Sequence, residues 1–145
     1  MNLYHLVQIT DSMASDKIEV LIVEDDPIQS LLLEKMFLSL GYKVLGKAVS
    51  GKLAIDLAKK FNPDLITMDI MLTDDIDGIE AAKVIQSHMK VDLVYLSGNK
   101  DADILNSASE TDFERFFRKP YNFNELKNFF SEYRDSKSMA KGKNI

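Results

Sequence analysis

Residues 18–27 read IEVLIVEDDP and join an apolar strand directly to the start of a helix. The run Ile18–Val23 is rich in β-branched residues, which favours a strand. Asp26 is a good N-cap residue, and Pro27 suits the first helical position because its missing N–H needs no partner there. The helix is predicted to end at Gly41, a residue type common just after helices. A strand that passes straight into a helix is typical of α/β folds.

The same alternation continues along the rest of the chain. The further predicted strands are Tyr42–Ala48, Asp64–Asp69, Asp92–Leu96 and Phe113–Phe117, and the further predicted helices are Gly51–Phe61, Ile79–His88, Asp101–Glu110 and Phe123–Tyr133. Five strands alternating with five helices indicate an α/β fold, a doubly wound five-stranded parallel sheet with helices on both faces. In such sheets, ligands bind along the edge formed by the carboxyl ends of the strands.

Length and composition indicate one globular domain with short appendages. The chain has 145 residues, of which 46% are apolar and 28% charged, which is unlike a disordered protein. We expect an N-terminal tail over residues 1–17, a domain over 18–134 and a polar C-terminal tail over 135–145. The complete lack of cysteine excludes disulfide scaffolds, cysteine–zinc sites and thiol catalysis.

Charge and hydropathy narrow the range of partners. The net charge of −5 makes the chain a poor electrostatic match for a nucleic acid backbone, so direct DNA binding is not expected. No stretch is long and apolar enough to span a membrane, and the N-terminus lacks the pattern of a secretory signal. We therefore expect a cytoplasmic protein without a membrane partner.

The carboxyl ends of the predicted strands carry a chemically matched set of side chains. Glu24 and Asp25 follow the first strand, and Asp69 ends the third. Ser97 follows the fourth strand and Lys119 the fifth. Three neighbouring carboxylates repel one another unless a cation lies among them, and oxygen ligands alone favour Mg²⁺, with Mn²⁺ as the alternative. Lys119 and Ser97 suit phosphoryl oxygens, and Asp69 is the candidate nucleophile for an acyl phosphate.

Five segments of the chain resemble the receiver domain of two-component response regulators. They are LIVEDDP (21–27), DLITMDIML (64–72), DGIEAAKVI (77–85), VYLSGN (94–99) and FFRKPY (116–121). The resemblance runs from about Ile18 to Tyr133, and Ser97 and Lys119 have the spacing usual in the family. It implies a flavodoxin-like sheet of strand order 2-1-3-4-5 and a stand-alone regulator similar to chemotaxis regulators.

The resemblance also implies a role for each residue of the acidic set. Asp69 would accept the phosphoryl group from a sensor histidine kinase or a histidine phosphotransfer protein. Asp25 would bind Mg²⁺ directly and Glu24 through water, and the backbone carbonyl of Met71 would be a further metal ligand. The protein would be a signalling phosphoacceptor that assists only its own phosphorylation and dephosphorylation. Because the Met71 side chain cannot orient a water, we expect slow self-dephosphorylation.

A second set of residues would couple phosphorylation to a change in the binding of a partner protein. By the resemblance, Ser97 is the switch hydroxyl and Lys119 binds the phosphate. The bond between Lys119 and Pro120 would be a cis peptide, which is energetically accessible only before proline. Phe116 occupies the position of the aromatic residue that changes rotamer on phosphorylation. The downstream target would be another protein, bound by a monomer or by a weak, phosphorylation-dependent dimer.

Two other functions remain open for the same residues. A magnesium-dependent phosphatase would also use an aspartyl intermediate, but such enzymes usually carry a second Asp two residues later, where this chain has Met71. A binding module that works without phosphorylation would keep the fold, although it would not need the complete set of five polar side chains.

The first helix is apolar along two stripes, which allows two interpretations. The stripes are Ile28, Leu32 and Met36, and Leu33, Phe37 and Leu40. A wide buried face would explain both stripes. Alternatively, the edge of one stripe receives the histidine-bearing helices of a kinase, a use of this helix that the resemblance implies.

Overall fold

The computed structural model describes residues 17–72, 75–98 and 102–142. The elements in chain order are β1 (Glu19–Val23), α1 (Pro27–Ser39), β2 (Lys43–Ala48), α2 (Gly51–Phe61), β3 (Leu65–Met68), α3 (Gly78–His88), β4 (Asp92–Ser97), α4 (Ala102–Ala108), β5 (Arg115–Arg118) and α5 (Phe123–Gly142). All neighbouring strands pair in parallel, in the order β2-β1-β3-β4-β5. The predicted doubly wound sheet and its strand order are confirmed.

Two apolar layers cover the sheet, one on each face. Helices α1 and α5 pack on one face, where Phe37 contacts Tyr42 and Phe130 edge-on at centroid distances of 4.9 and 4.8 Å. Helices α2, α3 and α4 pack on the other face around the fully buried Met68 and Tyr95. Central strands buried on both faces need continuous apolar runs, which explains the composition of β1 and β3.

Local signals place the helix ends close to their predicted positions. The Asp26 carboxylate accepts hydrogen bonds from the backbone N–H groups of Ile28 at 2.9 Å and Gln29 at 3.3 Å, which caps α1. Beyond the end of this helix, Gly41 has a φ of +86°, a conformation that favours glycine. Because α1 begins directly after this cap, the cap also sets where the loop that carries Asp25 ends.

The two apolar stripes of α1 have different environments. Leu33 and Phe37 are 1% and 0% exposed, so the stripe that contains them belongs to the core. The other stripe is divided, because Met36 is buried whereas Ile28 and Leu32 are 70% and 48% exposed. The buried-face interpretation is therefore confirmed for one stripe, and an apolar surface remains next to the N-terminus of α1.

Helix α5 is longer than predicted, and its predicted end at Tyr133 is wrong because the helix continues to Gly142. Side chains near and beyond Tyr133 contact the body of the domain. The Arg134 guanidinium donates to the Leu40 carbonyl at 2.8 Å, and the Tyr133 hydroxyl donates to Asp92. These contacts support a helix in a polar segment that sequence pattern alone indicates as a tail.

The domain boundaries stay a prediction. Residues 1–16, almost all of the predicted N-terminal tail, lie outside the described residues, as do the last three residues of the chain. Among the helices that the structure describes, none has the length and apolar character needed to cross a membrane.

Candidate functional site

Three carboxylates meet at the carboxyl ends of β1 and β3. These strands are neighbours and pair Val23 with Met68, so the residues that follow them leave the sheet side by side. The Asp69 N–H donates to the Val23 carbonyl at 3.0 Å, which extends this pairing by one residue. Carboxylate oxygens of Glu24, Asp25 and Asp69 all lie within 4.8 Å of one another. The structure thus brings together the three acidic residues predicted from the sequence.

Lys119, which directly follows β5, joins this acidic cluster. Its Nζ lies 2.6 Å from Glu24 Oε1 and 3.2 Å from Asp69 Oδ2. The Glu24 and Asp69 side chains are 1% and 6% exposed, and the Lys119 side chain is 17% exposed. A buried carboxylate requires a partner of opposite charge, and the ammonium supplies one to two carboxylates at once.

Burial is the main cause of the raised pKa values of Glu24 and Asp25, the two residues that follow β1. Burial raises the pKa of Glu24, although the hydrogen bond from Lys119 acts in the opposite direction. Burial and the neighbouring Glu24 carboxyl raise the pKa of Asp25. Burial alone would lower the pKa of Lys119, but Glu24 and Asp69 raise it above its ordinary value. The ammonium therefore remains charged, while three carboxylates face one cation.

The donor set fits a hard divalent cation. Carboxylate oxygens are the ligands that Mg²⁺ and Mn²⁺ prefer. A cation among them would favour the charged forms of Glu24 and Asp25, whose pKa values are raised first by burial and further by neighbouring carboxylates. Asp25 is only partly buried, which leaves an approach from solvent. The Met71 N–H donates to Asp69 Oδ1 at 3.2 Å, so the backbone of this predicted ligand lies against the acidic cluster.

Of the other predicted site residues, Ser97 and Pro120 lie next to Lys119, whereas Phe116 lies in an apolar layer of the sheet. Ser97 ends β4 with a fully buried side chain, and its carbonyl accepts a hydrogen bond from the Lys119 N–H at 2.8 Å. The bond between Lys119 and Pro120 is cis. Phe116 contacts Tyr95 and Phe113 in the apolar layer covered by α2, α3 and α4.

Gly78, which the sequence shows only as a member of the receiver-like segment 77–85, has a structural role in the site. A Cβ atom at this position would lie 2.1 Å from the Asp69 carbonyl oxygen and 2.8 Å from Ile70 Cα. The Gly78 N–H also donates to the Ile70 carbonyl at 2.9 Å. The N-terminus of α3 is thus held against the backbone of Asp69, at a distance that no larger residue permits. The pair Asp77-Gly78 was the available signal, but it does not reveal the close approach.

Comparison with known proteins gives one consistent result. Residues 20–131 match the family of response regulator receiver domains. The chain is 32% identical over 117 residues to the transcriptional regulatory protein PdtaR of Mycobacterium tuberculosis, covering 81% of this chain and 57% of the relative. It therefore spans little more than half the length of that curated relative.

Two further proteins resemble the chain over most of its length. Sporulation initiation phosphotransferase F of Bacillus subtilis is 28% identical over 122 residues, covering 83% of this chain and 96% of that protein. A solved structure, the receiver domain of the sensor histidine kinase PA1611 from Pseudomonas aeruginosa, has a magnesium ion coordinated in its active-site cleft. It superposes with a TM-score of 0.70 at 26% identity, covering 82% of this chain and 98% of that domain.

Proposed function

Because the chain belongs to the family of response regulator receiver domains, we propose that it accepts a phosphoryl group on Asp69 in a Mg²⁺-dependent reaction. The donor would be a sensor histidine kinase or a histidine phosphotransfer protein of a two-component system. The observation that carries the proposal is the position of Lys119 Nζ between Glu24 and Asp69, in a cluster that also contains Asp25. This is the convergence that phosphoryl transfer to a carboxylate requires.

In the proposed reaction, an Asp69 carboxylate oxygen attacks the phosphorus of a phosphohistidine. The phosphorus–nitrogen bond breaks, the electron pair goes to the imidazole, and an acyl phosphate forms on Asp69. The backbone N–H of Met71 and the ammonium of Lys119 hold the two oxygens of Asp69 and orient the carboxylate before attack. Lys119 can then contact a phosphoryl oxygen, because its raised pKa keeps it charged.

The metal ligands are supplied by the same cluster. Asp25, Glu24 and Asp69, with the Met71 carbonyl, would hold Mg²⁺, which when bound offsets negative charge on the phosphoryl group. The related receiver domain of PA1611 contains such an ion in its cleft, which supports the same chemistry here. The low exposure of Asp69 limits the access of bulk water to the carboxylate.

Phosphorylation would act as a switch by adding charge beside Ser97 and Lys119. A phosphoryl group carries about −1.5 to −2 charges at neutral pH and attracts hydrogen-bond donors. The Ser97 hydroxyl would move toward it, and Phe116, only partly buried, would move into the space left behind. We expect the altered surface to change the binding of a downstream protein in the cytoplasm, with the chain monomeric or weakly dimeric.

The exposed part of α1 suits the docking of the phosphoryl donor. Ile28, Leu31 and Leu32 are 70%, 44% and 48% exposed on the first two turns of α1, which begins two residues after Asp25. Apolar side chains at this helical spacing fit the helix that carries the donor histidine. Docking there would bring the histidine to the acidic cluster.

Self-dephosphorylation is expected to be slow. Met71 follows Asp69 by two residues, and its side chain is 55% exposed but presents only a thioether, which is a weak hydrogen-bond acceptor. It does not supply the polar group needed to orient an attacking water. Loss of phosphate from labelled protein at neutral pH measures this directly, and a half-life of seconds would contradict it.

Intact mass after incubation with acetyl phosphate and Mg²⁺ tests the phosphoacceptor. The wild-type chain should gain the mass of one phosphoryl group, and Asp69→Asn should gain none. The matched control is Asp75→Asn, an exposed aspartate outside the acidic cluster, which should react like the wild type. Equal labelling of Asp69→Asn, or no labelling of the wild type, would overturn the proposal. Turnover of a generic phosphate ester would favour the phosphatase instead.

A further inference from the structure

Tyr95 lies directly opposite Phe116 in the sheet. The two residues are register partners of β4 and β5, and their ring centroids are 5.9 Å apart. Phe113 contacts the Tyr95 ring edge-on at 5.4 Å, which completes an aromatic triangle. Because side chains alternate along a strand, Tyr95 is on the same face of β4 as Ser97, two residues later. Tyr95 thus contacts Phe116 and shares a face of β4 with Ser97, the two residues of the proposed switch.

The Tyr95 hydroxyl donates a hydrogen bond to Thr111, and the direction follows from proton counting. Thr111 Oγ1 lies 2.6 Å from the Ala108 carbonyl, to which it donates its single proton. It must therefore accept at the 2.8 Å contact with the Tyr95 hydroxyl. Burial raises the pKa of Tyr95 to about 12, so the phenol keeps the proton that this bond needs.

Through this chain of hydrogen bonds, Tyr95 holds the C-terminal end of α4. Ala108 is the last residue of α4, and its carbonyl also accepts from the Thr111 N–H at 2.9 Å. The following loop is fixed elsewhere, because the Gln86 side chain pairs with the backbone of Asp112 at 2.6 and 3.2 Å. With the loop clamped to α3, a displacement of the Tyr95 ring acts on the end of α4.

We propose that Tyr95 is a positioning residue that couples Phe116 to the C-terminal end of α4, so that phosphorylation of Asp69 alters α4 through the Tyr95–Thr111 hydrogen bond. The inference rests on the proposed function, because it requires Phe116 to respond to phosphorylation. A rotamer change of Phe116 removes or tightens its contact with the Tyr95 ring, and the hydroxyl passes the displacement to Thr111. Among the described residues, the hydrogen bond and ring contacts of Tyr95 are made with Thr111, Phe113 and Phe116, which are not part of the acidic cluster. Substitution of Tyr95 should therefore affect the readout and leave the rate of phosphorylation unchanged.

Hydrogen exchange before and after phosphorylation tests the coupling. The amides of Ser109 and Thr111, which donate to carbonyls of α4, report the end of this helix. In the wild type, acetyl phosphate with Mg²⁺ should change their exchange rates. In Tyr95→Phe, intact mass should show the same rate and extent of phosphorylation, but the change at these amides should be lost.

Two controls separate coupling from general destabilisation. Tyr42→Phe removes an equally buried hydroxyl, bonded to the Phe130 carbonyl on the opposite face of the sheet, and should keep the response. Thr111→Ser keeps the hydroxyl and should also keep the response, whereas Thr111→Val should lose it. If Tyr95→Phe does not fold, the comparison of Thr111→Ser with Thr111→Val still tests whether the Tyr95–Thr111 hydrogen bond carries the coupling.

Four other outcomes would overturn the inference, and each of them points to a different reason for its failure. A full response in Tyr95→Phe shows that α4 is coupled by another route. Loss of the response in both Tyr95→Phe and Tyr42→Phe shows a general effect on stability. Slower phosphorylation of Tyr95→Phe shows an action on the acidic cluster. A wild type that gains no phosphoryl mass refutes the proposed function, and the inference falls with it.

Discussion

Gly78→Ala should damage both the stability of the fold and the reactivity of Asp69. The new Cβ would lie 2.1 Å from the Asp69 carbonyl oxygen, whereas carbon–oxygen contacts are ordinarily about 3.3 Å or longer, so the backbone must move by about 1 Å. Overpacking of this kind costs about 1–3 kcal/mol, and we expect the upper end because the obstructing atoms are main chain. A loss near 3 kcal/mol lowers the melting temperature by roughly 10 °C.

The same displacement moves the nucleophile. Misplacement of a reacting group by about 1 Å can slow a reaction by about 100-fold, so phosphorylation of Gly78→Ala by acetyl phosphate should be slower by about 10- to 100-fold. Thermal melting and the time course of intact mass measure the two effects.

Gly46→Ala is the matched control for this substitution. Its Cβ would meet only side-chain atoms at 3.7–3.9 Å, which is ordinary contact. We therefore expect a change within about 1 kcal/mol and an unchanged rate of phosphorylation. If Gly78→Ala melts and reacts like Gly46→Ala, the claim that close approach positions Asp69 is wrong.

Three further predictions follow from burial and charge. Thr67 Oγ1 is buried without a hydrogen-bond partner among the described residues, so Thr67→Val should raise the stability to urea by about 1 kcal/mol. In EDTA at pH 7, Asp25→Asn should melt above the wild type, because the raised pKa of Asp25 means that its ionised form destabilises the fold. The difference in melting temperature between Asp25→Asn and the wild type should disappear as the pH falls toward the ordinary pKa of 3.8, where Asp25 becomes protonated. Without EDTA, Mg²⁺ should stabilise the wild type more than the variant. Leu32→Ser should slow phosphotransfer from a phosphohistidine donor with unchanged melting, whereas Leu33→Ser should lower stability by about 2–5 kcal/mol.

Each of these predictions has a contrary result. A less stable Thr67→Val would mean that the hydroxyl has a partner in solution. A wild type that is as stable as Asp25→Asn at pH 7 would mean that Lys119 balances the acidic cluster completely. Equal rates of phosphotransfer to Leu32→Ser and to the wild type would exclude the exposed side of α1 as the docking surface. Phosphorylation by acetyl phosphate is the control, because this small donor needs no docking surface.

The sheet and the acidic cluster could be predicted because their signals are local. The segment around Asp26 contains a strand, a cap and a helix start within ten residues, and each element follows from residue type. The rule that parallel strands present their carboxyl ends at one edge then brings Asp25, Asp69 and Lys119 together, although they are far apart in sequence.

The features that could not be predicted depend on contacts between distant residues. Periodicity shows that α1 has two apolar stripes, but only the packing of α1 onto one face of the sheet shows that Leu33 is buried and Leu32 is not. The extension of α5 beyond Tyr133 depends on the contact of Arg134 with Leu40, near the end of another helix. The bond from Tyr95 to Thr111 likewise joins β4 to the loop that follows α4, and neither residue type indicates its partner.

Chemical mapping of the phosphorylated residue tests the central claim most directly. Borohydride reduces the carbonyl carbon of an acyl phosphate to an alcohol and releases phosphate, so the modified aspartate becomes homoserine, which peptide mass spectrometry can place in the chain. After incubation with a phosphohistidine donor and Mg²⁺, we expect homoserine at position 69 and at no other aspartate. Homoserine at position 25 or 77, or a phosphorylated chain that borohydride leaves unchanged, would contradict the assignment of Asp69 as the phosphoacceptor.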